Sequence, residues 1–200
     1  MFENLTRDEM PLRWLLLIYR VPQEPPGRRT YVWRQLKKLG AIYLQQAAAI
    51  LPDRDEVRGA LQELKDRIYG FQGEASFLKT TSPDPHWEQE LIQRFNHARE
   101  AEYAELVNNV ERLEDEVRRE SRKGEYGFPQ LEDIEADWEK LQRWHERISA
   151  RDFFQARGPS GATEAMERGR VALAAFASQV YVREGVHEEH TGDQGAETNC

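Results

Sequence analysis

The sequence predicts an α+β protein: a ferredoxin-like β-α-β-β-α-β unit followed by a long antiparallel helical hairpin and a third helix. Three observations carry this expectation. The apolar run WLLLI at Trp14–Ile18 leads through a Pro/Gly loop into an amphipathic basic segment. Strand-like stretches at Ala41–Leu51 and Glu74–Thr81 bracket a second helical pattern, which completes the split β-α-β order. From Trp87 onward, apolar residues step by three and four, as in packed helices.

Met1–Pro11 lacks periodicity and reads as a frayed end. Arg13–Val21 is too continuously apolar for a half-exposed strand, so it belongs in the centre of the sheet, covered on at least one face. Pro22, Pro25, Pro26 and Gly27 form a rigid loop. In the helix Arg28–Leu39, Tyr31, Val32, Leu36 and Leu39 share a face, and Arg28, Arg34, Lys37 and Lys38 are left to solvent. Gly40 stands where a helix C-terminus wants positive φ. Ala41–Leu51 reads either as one bent strand or as a hairpin turning near Gln45-Gln46. Asp53 or Asp55 can cap a helix whose stripe is Val57, Leu61, Leu64 and Ile68. Gly70 and Gly73 close it, and Glu74–Thr81 is the last strand. This unit spans residues 12–82.

The helical extension spans residues 86–183. Tyr103, Leu106, Val110, Leu113 and Val117 form one seam, and Leu131, Ile134, Trp138, Leu141, His145 and Ile148 form another. With a loop at Arg122–Gln130 between them, they predict an antiparallel hairpin. Gly158–Gly161 breaks the chain before a last helix, about Thr163–Val182, with Met166, Leu173, Phe176 and Val180 as its stripe. Residues 184–200 are polar and read as a disordered tail.

Composition narrows the function classes. The 200 residues carry a formal net charge of -8 and are 32% charged, which excludes a protein that binds nucleic acid over its whole surface. No stretch reaches the roughly 18 apolar residues of a membrane span, and no signal peptide is expected. The single cysteine, Cys200, excludes an internal disulfide and a cysteine-based metal site and suits a reducing cytoplasm.

The charge is uneven. Arg13, Arg20, Arg28, Arg29, Arg34, Lys37 and Lys38 lie in a stretch whose only acid is Glu24. These are the candidate anion- or DNA-binding residues, since Arg28-Arg29 open a helix whose free N–H groups favour anions. Three readings stay open: a solvated face paired with acids of the C-terminal helices, contacts to DNA phosphates, or a small oxyanion site held by arginine forks. No helix-turn-helix reader is evident.

Enzyme activity is not expected. The first strand ends without a carboxylate to hold a divalent cation, Asp53 has no evident acidic partner, and no nucleotide-binding glycine motif or nucleophile–base pair is present. No cofactor or metal is expected. In an antiparallel hairpin about residue 124, His145 lies opposite Tyr103, near His97, Glu100 and Glu102. Without a second Glu-x-x-His motif it reads as a half-buried histidine bonded to Tyr103 or Glu102 rather than a ligand. His187 and His190 read as solvated tail. Trp33, Trp87, Trp138 and Trp144 read as core or helix contacts; stacking on bases would require exposure beside the basic face, where only Trp33 is near enough.

WLLLIYRVP (Trp14–Pro22), RRTYVWRQLKKLGA (Arg28–Ala41), ILPD (Ile50–Asp53), FNHAREAEYAEL (Phe95–Leu106) and RISARDFF (Arg147–Phe154) together resemble the N-terminal domain of ChrB, the chromate-resistance regulators, over about residues 12–182. The first part is also similar to PaaX-type repressors, and the helical motifs favour ChrB. The resemblance implies a cytoplasmic bacterial protein acting in transcriptional control of chromate efflux, with DNA and chromate or a similar oxyanion as its partners. It also implies a second, C-terminal domain in full-length relatives. The helical hairpin is then expected to serve self-association or a protein partner. The alternative is an interaction or scaffold module without DNA contact that docks a separate sensor.

Overall fold

The computed structural model describes residues 12–124 and 127–185. The predicted frayed end, His187, His190 and the tail from residue 186 lie outside the described residues. The elements in order are β1 (Arg13–Arg20), α1 (Arg28–Lys38), β2 (Ile42–Gln45), β3 (Ala48–Pro52), α2 (Asp55–Gly70), β4 (Glu74–Thr81), α3 (Pro85–Lys123), α4 (Phe128–Ser149) and α5 (Pro159–Arg183). By contact the chain falls into two compact units. The first holds the described residues up to Glu102 with Arg147–Gly158; the second holds Tyr103–Glu146 and the residues from Pro159 on.

In the first unit the four strands run in the order β2-β3-β1-β4, and each neighbouring pair is antiparallel. β3 therefore lies between β1 and β2, and β1 between β3 and β4, which is two interleaved split β-α-β units. The α+β expectation holds. β1 is central because both of its faces are apolar. Leu15 and Leu17 point into a core with Val32 and Leu36 of α1 and Val57, Leu61, Leu64 and Ile68 of α2. Trp14 points the other way, into a cluster with Ile50, Leu91 and Phe95. It stacks on Phe95 at 5.8 Å between ring centroids and donates its indole N–H to Glu88 Oε1 at 3.0 Å.

Of the two readings of Ala41–Leu51, the hairpin is the one formed. Its turn lacks an Asn-Gly or Asp-Gly pair. The pairing slips between Tyr43 and Gln45 instead, and Tyr19 N–H holds the turn from the side by donating to Ala47 O at 2.9 Å. Gly40 has φ of +79°, as expected of a helix stop. A Cβ there would also come within 3.1 Å of Arg99 Nη1 and 3.2 Å of Arg151 Cβ.

Several local expectations are corrected. The N-cap of α2 is Arg54, with no side-chain capping bond, because the Asp53 carboxylate is engaged by Arg58 and Lys79. In α1 only Val32 and Leu36 are buried. Tyr31 is half in solvent, its ring edge-on to Phe71 at 5.6 Å. The loop expected over Arg122–Gln130 is shorter, since α3 runs to Lys123 and α4 begins at Phe128.

In the second unit Leu113 and Val117 of α3, Leu131, Ile134 and Trp138 of α4, and Phe176 and Val180 of α5 form one core. Tyr103 meets His145 edge-on at 6.5 Å, as an antiparallel hairpin about residue 124 requires. The stripe of α5 differs from the expected one. Its buried residues are Ala162, Ala165, Gly169, Phe176 and Val180, while Met166 and Leu173 are only partly covered. Gly169 explains the choice: a Cβ there would stand 2.7 Å from Trp138 and 3.0 Å from Val110. Gly169→Ala is expected to overpack this core and cost about 1–3 kcal/mol, read as a lower urea midpoint at unchanged m-value.

Candidate functional site

The outward side of α1 collects the cations. With Val32 and Leu36 facing the core, a pitch of 3.6 residues per turn sends Arg29, Trp33 and Lys37 to one flank and Arg34 and Lys38 to the other. All are exposed. Trp33 is 49% exposed, which corrects its expected place in the core: its bearing is about 100° from that of Val32. No ion pair among the described residues involves Arg29, Arg34, Lys37 or Lys38. Of the three readings of this face, pairing with acids is not formed among the described residues. Several cations of the long helices do pair, among them Arg118 on Asp115, Lys140 on Asp137 and Arg170 on Glu167. The N-cap of α1 is Gly27, which supplies no side-chain oxygen, and the first turn holds no acid. Neither competes for an incoming anion.

The remaining candidates lie elsewhere. Arg28 is half-buried and supports the fold: Nη1 donates to Phe71 O at 2.9 Å, and the guanidinium lies 5.5 Å from the centroid of the Phe71 ring. Arg20 ends β1, paired in register with Glu74. Arg13, at the opposite end of β1, approaches Asp53 at 3.9 Å.

Asp53 is the organising group there, its side chain 1% exposed. Arg58 donates from Nη2 at 2.6 Å and from Nε at 3.1 Å, and Lys79 Nζ lies 3.1 Å away. Burial pushes this carboxyl up, but the bonds and charges of Arg58 and Lys79 outweigh it, and the net shift is downward.

Sequence reasoning missed a second buried centre. Arg99 Nη2 donates to Glu102 Oε1 at 2.9 Å, and Arg151 Nη2 to Glu102 Oε2 at 2.8 Å. Arg151 Nη1 also donates to Lys37 O at 3.1 Å. Glu102, one of the two partners expected for His145, is thus taken by two arginines, and the other, Tyr103, is the one that meets His145. The Arg99–Glu102 spacing of three was legible as a helix pair; the partner 49 residues on was not. Beside this centre an open cleft of about 990 Å³ runs between the end of α1, β2 and α3. Among the described residues no group of three or more His, Cys, Asp or Glu is placed to hold a metal ion, and no helix is long and apolar enough to cross a membrane.

Two outcomes follow from these interactions. The depressed Asp53 pKa contributes stability that is full above the unfolded value of about 3.9 and is lost as pH falls through the folded value. Asp53→Asn is expected to cost about 1–3 kcal/mol at pH 7 and to flatten the loss of stability between pH 5 and pH 2, measured by urea denaturation across pH. Arg28→Ala is expected to lower stability by about 1–2 kcal/mol, because the carbonyl bond and the ring interaction are both removed, read in the same way.

A family model described as "Protein ChrB, N-terminal" matches residues 29–187. The match begins inside α1, so the apolar β1 lies ahead of it. Protein ChrB of Cupriavidus metallidurans is 34% identical over 94 residues, a stretch that covers 47% of this chain and 28% of that protein. The alignment thus spans little more than a quarter of the curated relative. No solved structure matches. With most of its length inside that family model, from the basic helix through the last helix, the chain belongs to the ChrB N-terminal family.

Proposed function

We propose that this chain is a non-enzymatic regulatory component of chromate resistance, acting in transcriptional control by gripping DNA phosphates with the outward side of α1. The observation that carries this reading is that Arg29, Arg34, Lys37 and Lys38 are exposed on one helix with no acidic partner among the described residues, on a protein of net charge -8. Leaving such charges uncompensated on a compact face favours an external polyanion. Trp33, exposed between Arg29 and Lys37, adds a flat apolar surface beside the phosphate-binding cations. The chromate context comes from the ChrB relationship.

A second reading is favoured by a different observation. Ile18 of β1 and Leu78 of β4 are 44% and 47% exposed on the sheet face that Trp14 shares. A protein docked on that face would make the chain a scaffold for a separate sensor.

Salt separates the two. Fluorescence anisotropy of labelled duplex DNA from upstream of its own operon should show binding whose log–log salt slope falls by roughly two units in Arg29→Ala/Arg34→Ala, about one for each phosphate no longer neutralised. Arg28→Ala should keep the wild-type slope. Chromate that releases the DNA would place sensing in this chain. Absence of binding at low salt overturns the DNA reading and turns attention to the exposed sheet face.

A further inference from the structure

We propose that the open edge of β4 pairs with the same strand of a second copy of this chain, antiparallel about a two-fold axis at Leu78, so that two sheets join into one. The backbone directions follow from β1. Arg13 O accepts from Asp53 N–H at 2.8 Å, and Tyr19 N–H donates to Ala47 O at 2.9 Å. The odd-numbered residues of β1 thus turn their backbone groups toward β3. Alternation along an antiparallel ladder then gives Leu16 and Ile18 to Leu78 and Ser76 of β4. Ala75, Phe77, Lys79 and Thr81 therefore direct their N–H and C=O groups away from the sheet. Two of the outward carbonyls are taken: the Tyr69 hydroxyl donates to Ala75 O at 2.8 Å, and the Thr80 hydroxyl to Thr81 O at 3.3 Å. The outward groups of Phe77 and Lys79 have no partner among the described residues.

Natural sheet edges are shielded by shortness, a bulge, proline, an outward lysine or a covering group. The opposite edge, β2, is shielded in three of these ways. It is four residues long, its pairing slips between Tyr43 and Gln45, and Arg94 Nη2 donates to Tyr43 O at 2.6 Å. β4 differs. It is eight residues long without proline, it pairs with β1 through every residue without a slip, and its one lysine, Lys79, is drawn to Asp53 at 3.1 Å. The free groups also select the register. With Leu78 on the axis, Phe77 exchanges both backbone bonds with Lys79 of the second copy, and symmetry repeats the exchange. Moving the register two residues one way sets Ala75 opposite Lys79, where Tyr69 already holds the Ala75 carbonyl. Moving it the other way sets Lys79 opposite Lys79, like charge against like. In the selected register Leu78 meets its own copy in a non-hydrogen-bonded pair, where side chains approach most closely. Ile42, Ile50, Leu16 and Leu78 stand in register across the sheet, a row that ends at Leu78, 47% exposed. A second copy continues this row and covers its exposed end. The strand edge is complementary to itself, as a two-fold interface requires. The axis is perpendicular to the sheet, so α1 of both copies lies on one side of it.

The test is sedimentation equilibrium of the 200-residue protein over a range of concentrations, without DNA. A dimer with a dissociation constant below about 0.1 mM is expected. Leu78→Lys, an exposed change of low folding risk, sets like charges face to face on the axis. It should weaken the dimer at least about tenfold and leave the far-ultraviolet circular dichroism unchanged. The register is read by cross-linking, with Leu78→Cys or Thr80→Cys each combined with Cys200→Ser. Mild oxidation should link two copies through position 78, where the paired backbones lie within reach of a disulfide, and not through position 80, which stands opposite Ser76 of the second copy. A chain that stays monomeric at about 0.1 mM overturns the proposal. So does a dimer that survives Leu78→Lys, or one that cross-links no better through position 78 than through position 80. The pairing goes beyond the DNA reading and is measured without DNA, so failure of the α1 reading and failure of this one are distinguishable.

Discussion

Two-sided burial of β1 is the constraint on which the first unit depends. Leu15 and Leu17 on one face and Trp14 on the other are fully buried, and each large apolar side chain removed from water is worth about 1.5–3 kcal/mol. A strand apolar on both faces must be covered on both. α1 and α2 cover the first face, and the start of α3 with Phe153 and Phe154 covers the second around Trp14. The cover stops short of Ile18, and the sheet face opens there.

That burial also dictates what α1 can present. Val32 and Leu36 must point at the sheet, so helical geometry leaves Arg29, Trp33, Lys37, Arg34 and Lys38 turned outward. Several other cations near the sheet are committed to the fold. Arg28 holds the carbonyl that follows α2, Arg58 and Lys79 neutralise Asp53, and Arg99 and Arg151 share Glu102. The division between free and committed cations is thus a consequence of packing.

Much of the architecture was legible because it rests on periodicity. The stripes of α2 and of both hairpin helices, the central place of β1, and the meeting of Tyr103 with His145 all follow from spacing and chain reversal. Expectations failed where a tertiary partner reassigned a residue. Asp53 was legible as a cap but was claimed by Arg58 and Lys79. Trp33 read as core because tryptophan is apolar, but its helical bearing carries it outward. In α5 the larger residues Met166 and Leu173 gave way to Ala162, Ala165 and Gly169, because Trp138 of the facing helix left no room for a side chain at position 169.

By itself the sequence determined the order of elements, the basic character of α1 and the kinship with the ChrB N-terminal family, since these depend on local pattern and local charge. Only the tertiary structure decided which cations stay free and which are consumed. It also decided that Glu102 serves two arginines. Those outcomes depend on pairs far apart in the chain, such as Glu102 with Arg151 or Lys37 with Arg151. Electrostatic and hydrogen-bond partners are set by distance in space, which no periodicity of the sequence encodes.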